Sequence, residues 1–248
     1  PDNNGSVVSM TGVRVSKTKY YKFDDPTMFE SDIPRETRVL TDLYLQDDTP
    51  STGHKVVFFD IEVSMENGIP NIENPNNEVT AITLYDSVTK EYTVLVLDKT
   101  VSRGNYKKGD TDTYFFKDEI DLLYKFVDVY ESIGPTIITG WNSDYFDVPY
   151  LYNRLKQQCG NGVANKLSSI GKLKYSKFRK KWMIAGVSSL DYLDLYKKFT
   201  YGQQPNYRLD TIGRIEVGMG KVEYEGSLDE LFRTDLDKFI EYNVQDVR

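Results

Sequence analysis

Hydrophobic and polar residues alternate along the chain with two periodicities, one typical of strands and one typical of helices. Apolar segments bounded by polar, turn-forming residues predict strands at 55–63, 78–86, 91–98, 135–139 and 183–190. The second and third of these strands flank the short turn 86–90 and predict a β-hairpin. The sequence therefore predicts a sheet that begins with three strands close together along the chain.

Apolar residues spaced three and four apart predict helices at 117–132, 147–158 and 227–248. The inward stripe predicted for the last helix comprises Leu236, Phe239, Ile240, Asn243 and Val247. Residues 99–112 are predicted to form a polar loop, and residues 1–53 a lead-in with some short strands. Strands followed by alternating helices and strands predict an α/β fold in which helices cover a mixed sheet.

The composition of the 248 residues predicts a globular protein with a substantial core. The chain is 39% hydrophobic and 13% aromatic, which is too apolar for a disordered protein. Its one cysteine, Cys159, excludes an internal disulfide and a cysteine-rich zinc site, as expected in a reducing compartment. No apolar run approaches the ~18 residues of a membrane span. The start at Pro1, with no signal-peptide pattern, is expected of a fragment or a processed chain.

Charge is distributed unevenly along the chain. The net charge of −7 argues against a protein that coats nucleic acid non-specifically. Yet residues 166–181 contain seven basic residues and no acidic one, interleaved with aromatic residues. Composition leaves two interpretations of this basic segment open, a local contact to phosphate groups and a solvated loop.

Acidic residues at the end of a predicted core strand are the first candidate for chemistry. In the stretch Val56–Met65, four apolar residues precede Asp60 and Glu62. The period of a strand places these two carboxylates on the same face, where they repel each other and lose hydration. Binding of a cation between the two carboxylates would offset both the repulsion and the loss of hydration.

Two further stretches place carboxylates at the borders of buried elements. Asp147 follows a short apolar strand and opens a helix, and Tyr242 and Asp246 lie four residues apart on one helix face. Each motif alone has an ordinary explanation, as a solvated strand, a helix N-cap or a helix surface pair. Together with Asp60 and Glu62, the acidic residues form an oxygen-only ligand set that favours magnesium or manganese over zinc. Two such ions about 3.5–4 Å apart support in-line cleavage of a phosphodiester.

In their order along the chain, the motifs resemble a known family. FDIE at 59–62, N-x-x-x-F-D at 142–147 and Y-x-x-x-D at 242–246 resemble the three exonuclease motifs of family B DNA polymerases. The stretches ITGWNSDYFDVPYLYNRLK, GVSSLDYLDLYKKF and KVEYEGSLDELFR extend the resemblance to the proofreading domain of T-even-type bacteriophage replicative polymerases. The resemblance covers about residues 55–248.

The resemblance implies the fold, the activity and the roles of the acidic residues. The expected fold is a ribonuclease-H-like mixed sheet with flanking helices, the DEDD-type exonuclease fold, over 55–248, with 1–54 as a partial N-terminal domain. The expected activity is removal of nucleotides from a DNA 3′ end with two Mg²⁺ or Mn²⁺ ions. By position, Asp60, Glu62 and Asp246 bind the first metal, and Asp60 also bridges to a second metal near Asp147. Tyr242 orients the attacking water.

The resemblance also implies contacts and partners. Asn142 and Phe146 are candidates for holding the DNA strand, and the basic segment matches a hairpin whose Lys174, Lys177 and Arg179 are candidate phosphate contacts. The expected partners are a single-stranded DNA 3′ end and a polymerase portion, in cis or as a separate subunit, with no membrane. The expected location is the cytoplasm of an infected bacterial host.

Three points limit or compete with this interpretation. The stretch GDTDT at 109–113 resembles a metal-binding motif of the polymerase palm, but it lies in a polar segment without the rest of that motif, and we interpret it as an ordinary loop. A binding module that has lost its chemistry is a second interpretation, which the complete set of carboxylates disfavours. A ribonuclease of the same fold is a third, because sequence does not reveal contacts to the 2′ position.

Overall fold

A computed structural model describes residues 2–9, 12–18, 25–28, 33–100 and 103–248, without the side chains of residues 35 and 36. The chain divides into two compact units, Pro1–Thr52 and Gly53–Arg248. The predicted domain boundary after residue 54 stays a prediction.

The first unit contains the short strands expected of the lead-in and a helix that was not predicted. Strands β1 (Val7–Val8) and β2 (Arg14–Val15) pair in antiparallel fashion. Helix α1 (Arg35–Tyr44) follows them in the chain. Sequence reasoning missed α1, although Val39, Leu40, Leu43 and Tyr44 recur at helical spacing.

The second unit is built on a mixed sheet, as the sequence predicts, and the described residues form seven strands of it. Its strands are β3 (Val56–Val63), β4 (Val79–Asp86), β5 (Glu91–Leu97), β6 (Tyr106–Lys108), β7 (Thr111–Phe116), β8 (Ile137–Thr139) and β11 (Ser188–Ser189). They lie in the order β11-β8-β3-β4-β5-β7-β6. Strands β3, β4 and β5 pair in antiparallel fashion, whereas β8 runs parallel to β3 and β7 parallel to β5. The three predicted early strands and the hairpin are confirmed.

Helices cover both faces of the sheet. They are α2 (Glu119–Ile133), α3 (Asp147–Cys159), α4 (Asn161–Ala164), α5 (Tyr192–Phe199), α6 (Leu209–Glu216), α7 (Leu228–Thr234) and α8 (Leu236–Val247). The main core packs α2 and α3 against one face, which includes Val57, Phe59 and Ile61 of β3. Helices α7 and α8 pack through smaller clusters against β4, β5 and β7. Because side chains alternate along a strand, Asp60 and Glu62 belong to this second face.

Three sequence predictions are wrong in part. The polar loop predicted at 99–112 contains β6 and the start of β7, and in GDTDT only Gly109 and Asp110 form a turn. The strand predicted at 183–190 is two strands, because β10 (Lys181–Ile184) pairs with β9 (Leu173–Ser176) in a separate hairpin before β11. The helix predicted at 227–248 breaks at Asp235, whose side chain caps α8 by accepting from the amide of Lys238.

A helix that crosses a bilayer must be both long enough and apolar enough. No helix in the described part of the chain meets both conditions.

Candidate metal centre

Strand β3 presents the first two carboxylates to the face of the sheet that α8 covers. Asp60 lies opposite Thr83 of β4, and Glu62 lies opposite Ala81. Both acidic side chains are half-buried at this face. Their neighbours in the strand, Phe59 and Ile61, point to the other face and are buried in the main core. The core packing of β3 therefore fixes where the two carboxylates point.

Helix α8 brings a third carboxylate to this pair. Oxygen atoms of Asp60, Glu62 and Asp246 all lie within 4.8 Å of one another. Tyr242, one helical turn before Asp246, is buried and packs its ring edge-on against Tyr224, with centroids 5.5 Å apart. The structure thus brings together residues separated by some 180 positions in the chain.

Asp147 is the first residue of α3 and lies against the backbone of β3. Its Oδ1 accepts a hydrogen bond from the backbone N–H of Ile61 at 3.1 Å. The preceding loop lies so close to β3 that a Cβ atom on Gly140 would come within 2.5 Å of the carbonyl oxygen of Phe59. Only glycine permits this approach. Asp147 is therefore fixed to the strand segment between Asp60 and Glu62, although it is not one of the three residues within 4.8 Å of one another.

Burial raises the pKa values of all four carboxyl groups, and repulsion from the other members of the cluster adds to the effect at Asp60 and Glu62. Burial, followed by the charges of Asp147 and Glu62, raises the pKa of Asp60 well above its usual range. Burial, followed by the charge of Asp246, raises the pKa of Glu62 to about 8. Burial raises the pKa of Asp147 to about 7, and burial also raises that of Asp246. Such a cluster holds protons near neutral pH unless a cation replaces them.

Lys221 is a cation at the edge of the cluster that sequence reasoning missed. Its Nζ donates to Asp246 Oδ2 and to the hydroxyl of Tyr242, both at 2.5 Å. Burial lowers the pKa of Lys221, but the nearby carboxylates, chiefly that of Asp246, outweigh this effect and raise it. Lys221 is the first residue of KVEYEGSLDELFR, one of the stretches on which the family resemblance rests. Nothing in its spacing linked it to residues 21 and 25 positions further on.

Tyr242 keeps its phenol proton in this setting. Burial, followed by the negative charges of Asp246 and Glu62, raises the pKa of Tyr242. The hydroxyl oxygen accepts from Lys221, so its own hydrogen points to another acceptor. The Tyr242 side chain also lowers the pKa of Asp246 through a hydrogen bond. Tyr242 can therefore donate a hydrogen bond within the cluster.

The predicted DNA contacts lie on two elements. Asn142 lies in the loop before α3 with a positive φ of 66°, and Phe146 stacks on Tyr150 with centroids 5.6 Å apart. The basic residues Lys174, Lys177 and Arg179 are exposed on the hairpin formed by β9 and β10. Phe146 is half-buried and packs against the main core, which suits a structural role as well. The roles of all these residues stay predictions.

The raised pKa values predict an unusual pH dependence of stability for the protein in chelator. Carboxyl groups whose pKa is higher in the folded than in the unfolded state stabilise the fold while they are protonated. That contribution is lost as pH rises through about 7 for Asp147 and about 8 for Glu62. Since unfolded carboxyl groups titrate at about pH 4, we expect the midpoint of urea unfolding to fall from about pH 5 to about pH 8. The variant Asp147→Asn/Glu62→Gln should show a smaller fall, and an equal fall in both proteins would contradict this origin.

Comparison with known proteins gives a consistent result. The family described as "DNA polymerase family B, exonuclease domain" matches residues 13–212. This range includes Asp60, Glu62 and Asp147, extends well into the predicted lead-in and ends before Lys221 and Asp246.

Several curated relatives are similar over most of the chain. The DNA-directed DNA polymerase of Escherichia phage RB69 is 32% identical over 223 residues, which are 79% of this chain and 25% of that protein. The corresponding polymerase of Enterobacteria phage T4 is 33% identical over 220 residues, 78% of this chain and 24% of that protein. DNA polymerase 1 of Aeropyrum pernix is 29% identical over 263 residues, 98% of this chain and 26% of that protein. The chain spans about a quarter of the length of these relatives.

Proposed function

Because the chain belongs to the exonuclease-domain family of family B DNA polymerases, a family of 3′→5′ exonucleases, we propose that it removes nucleotides from a single-stranded or frayed DNA 3′ end. The proposed reaction is phosphodiester hydrolysis with two metal ions. We further propose that it proofreads for a polymerase portion, in cis or as a separate subunit, in the cytoplasm of an infected bacterial host.

The observation that carries this proposal is the convergence of Asp60, Glu62 and Asp246 within 4.8 Å. Oxygen-only ligands at this spacing fit Mg²⁺ or Mn²⁺. Their raised pKa values provide a second argument, since a bound cation would relieve the repulsion among them. In this proposal these three residues hold one ion, and Asp60 with Asp147 holds the second.

The remaining chemistry is assigned to the chain's own groups. Bound metal ions supply activation of a water molecule and stabilisation of the leaving oxygen. Tyr242 remains a phenol and orients the attacking water by a hydrogen bond. Lys221 holds the hydroxyl oxygen of Tyr242 and one oxygen of Asp246, so it fixes both groups with respect to each other. The positive charge of Lys221 also offsets part of the negative charge of the cluster.

The proposal is tested with a single-stranded DNA oligonucleotide labelled at its 5′ end. We expect a ladder that shortens from the 3′ end with Mg²⁺ or Mn²⁺ and disappears with chelator. A 3′-labelled copy should release its label as a mononucleotide in the first step. An RNA of the same sequence distinguishes the ribonuclease alternative, and binding of an oligonucleotide that stays intact in every condition would favour the binding-module alternative.

Metal binding is expected to stabilise the folded protein. A ligand at 100 times its dissociation constant that binds only the native state adds about 2.7 kcal/mol, which raises the Tm of a domain of this size by roughly 5–10 °C. We expect this shift on titration with Mn²⁺, measured by thermal denaturation, with metal-free buffer as the baseline. The variant Asp246→Asn should lose most of it. An unchanged Tm at millimolar Mn²⁺ would count against an assembled site.

The contacts of Lys221 predict that it acts together with Tyr242. Lys221→Met and Tyr242→Phe should each lower kcat by about a hundredfold, the lower end of the range for a positioned group that donates or accepts a proton. The double variant should be little worse than either single variant, because both changes disrupt one hydrogen-bonded unit. Single-turnover rates on single-stranded DNA measure this. Multiplicative losses in the double variant would mean that the two residues act independently.

A further inference from the structure

The loop that precedes Asp147 is held by a buried carboxylate outside the metal centre. Asp191, which is 3% exposed, accepts hydrogen bonds from the backbone amides of Asn142 at 3.1 Å and Asp144 at 3.0 Å. The same carboxylate caps α5 by accepting from the amide of Leu193 at 2.9 Å. The positive φ of Asn142 is a conformation that non-glycine residues rarely adopt. The hydrogen bonds that Asp191 accepts from the two amides hold the loop in that conformation.

A second buried carboxylate extends this attachment to the basic hairpin. The side chain of Asp144 is 1% exposed, and it accepts from the hydroxyl of Ser189 and from Nζ of Lys181 at 2.5 Å. Lys181 is the first residue of β10, directly after the exposed turn of the hairpin. We call Asp144, Lys181, Ser189 and Asp191 the loop clamp.

The next residue of the hairpin is anchored to the helix that begins with Asp147. Trp182 packs against Tyr152 of α3 with ring centroids 4.4 Å apart, and Tyr175 of β9 packs on Trp182 at 5.8 Å. Two consecutive residues of β10 therefore contact the loop before α3 and α3 itself. The exposed end of the hairpin carries Phe178, which is 95% exposed, between basic residues.

From these contacts we propose that the loop clamp consists of positioning residues, which set the place of Asp147 and couple DNA engagement by the hairpin to cleavage at the metal centre. This inference rests on the proposed exonuclease function. DNA bound at the exposed end of the hairpin would restrict the movement of β10. The ion pair between Lys181 and Asp144 would then restrict the loop before α3 as well. The loop in turn carries Asn142 and Phe146 and leads directly into Asp147, the first residue of α3. Misplacement of a reacting or metal-holding group by about 1 Å can cost a hundredfold in rate.

The test compares steady-state parameters on single-stranded DNA. Asp144→Asn and Lys181→Met should each lower kcat by about tenfold with KM nearly unchanged, because they displace a group that acts on bound substrate. The double variant should be no slower than the slower single variant, since both changes remove one interaction. Lys181→Arg keeps the charge and should retain most of the wild-type kcat. Lys107→Met is the matched control, a lysine in a surface ion pair with Asp112 outside the loop clamp, for which we expect kcat and KM to stay near the wild-type values.

Amide hydrogen exchange tests the clamp without reference to activity. In Asp191→Asn, an isosteric change, exchange at Asn142 or Asp144 should become at least about tenfold faster, while amides in the middle of α2 keep their protection. Unchanged exchange at both loop amides would overturn the proposed role of Asp191. The same measurement on Asp144→Asn shows whether this variant is still folded when its kcat is lower.

The kinetic outcomes separate this inference from the function on which it rests. If the wild type does not shorten DNA, the proposed function fails and the inference fails with it. If the wild type is active but Asp144→Asn and Lys181→Met keep its kcat, only the inference is overturned. A rise in KM alone, or a Lys181→Arg variant as slow as Lys181→Met, would also overturn it, since Lys181 would then be a DNA contact or a packing residue.

Discussion

Replacing Asp60 by asparagine is expected to abolish DNA hydrolysis, with a fall of about a thousandfold or more, in a protein that remains folded. Asp60 is the carboxylate assigned to both metal ions. Asparagine has nearly the same size but lacks the charge that binds them. The pKa of Asp60 is already raised by burial and by the charge of Asp147, so the neutral side chain suits the fold. In chelator, the variant should be as stable as the wild type or slightly more stable.

The matched control is Asp112→Asn, the same change on a strand carboxylate outside the cluster. Asp112 lies on β7 and faces Lys107 at 3.3 Å in a surface ion pair. Such pairs contribute about 0–1 kcal/mol, so its activity and stability should stay near those of the wild type. Hydrolysis rates in Mg²⁺ and urea unfolding in chelator are the two measurements. A large loss of stability in Asp60→Asn, with activity lost in proportion, would indicate a structural role for Asp60.

Replacing Arg154 by methionine is expected to cost about 3–5 kcal/mol of unfolding free energy. Arg154 and Glu119 form an ion pair, with side chains 7% and 6% exposed. The guanidinium donates from Nε to Glu119 at 2.8 Å and from a terminal nitrogen to the carbonyl oxygen of Pro75 at 2.7 Å. Without Arg154, the carboxylate of Glu119 remains buried, and among the described residues the amide of Val79 is the donor left to it. Because Arg154 lies two turns after Asp147 on α3, the pair also anchors the helix that carries a predicted metal ligand.

Two further variants separate the buried charge from general loss of packing. Arg154→Met/Glu119→Gln should recover part of the stability, because it removes the unpaired charge. Lys166→Met, which breaks an exposed ion pair with Glu131, should change the unfolding free energy by less than about 1 kcal/mol. Urea denaturation at neutral pH measures all three variants. A cost in Arg154→Met no larger than that in Lys166→Met would contradict the prediction.

Much of the sheet could be predicted from the chain because its strands are strongly apolar. The run Val56–Phe59 and the hairpin strands β4 and β5 are buried or half-buried throughout, and their pattern is unambiguous. Strand β7 begins with Thr-Asp-Thr, so its first half looks like a polar loop, although it pairs in parallel with β5. It also pairs with β6 across the turn at Gly109 and Asp110, and the polar residues of this hairpin concealed both strands.

Short amphipathic helices were the other failure. Helices α5 and α6 have eight residues each and only Ile212 of α6 is fully buried, so their apolar spacing is too brief to stand out. The break between α7 and α8 does have a signal, since Asp235 is a favourable N-cap residue. The continuous apolar stripe of 227–248 concealed it.

The candidate site was predictable in its parts and not in its assembly. Strand alternation places Asp60 and Glu62 on one face, and helical spacing places Tyr242 near Asp246. Their approach to within 4.8 Å depends on how α8 packs on the sheet, which no local pattern determines. Lys221 and the loop clamp were missed for the same reason. Their contacts join segments that are distant in the chain, and lysine and aspartate on loops are usually solvated.

Anomalous scattering from crystals soaked in Mn²⁺ is the most direct test of the metal centre, beside a crystal of Asp60→Asn treated in the same way. We predict one Mn²⁺ among Asp60, Glu62 and Asp246, a second between Asp60 and Asp147, and loss of both or of the second in the variant. Absence of anomalous density at these carboxylates in the wild type, or a Mn²⁺ elsewhere that the variant retains, would contradict the assignment of the metal centre.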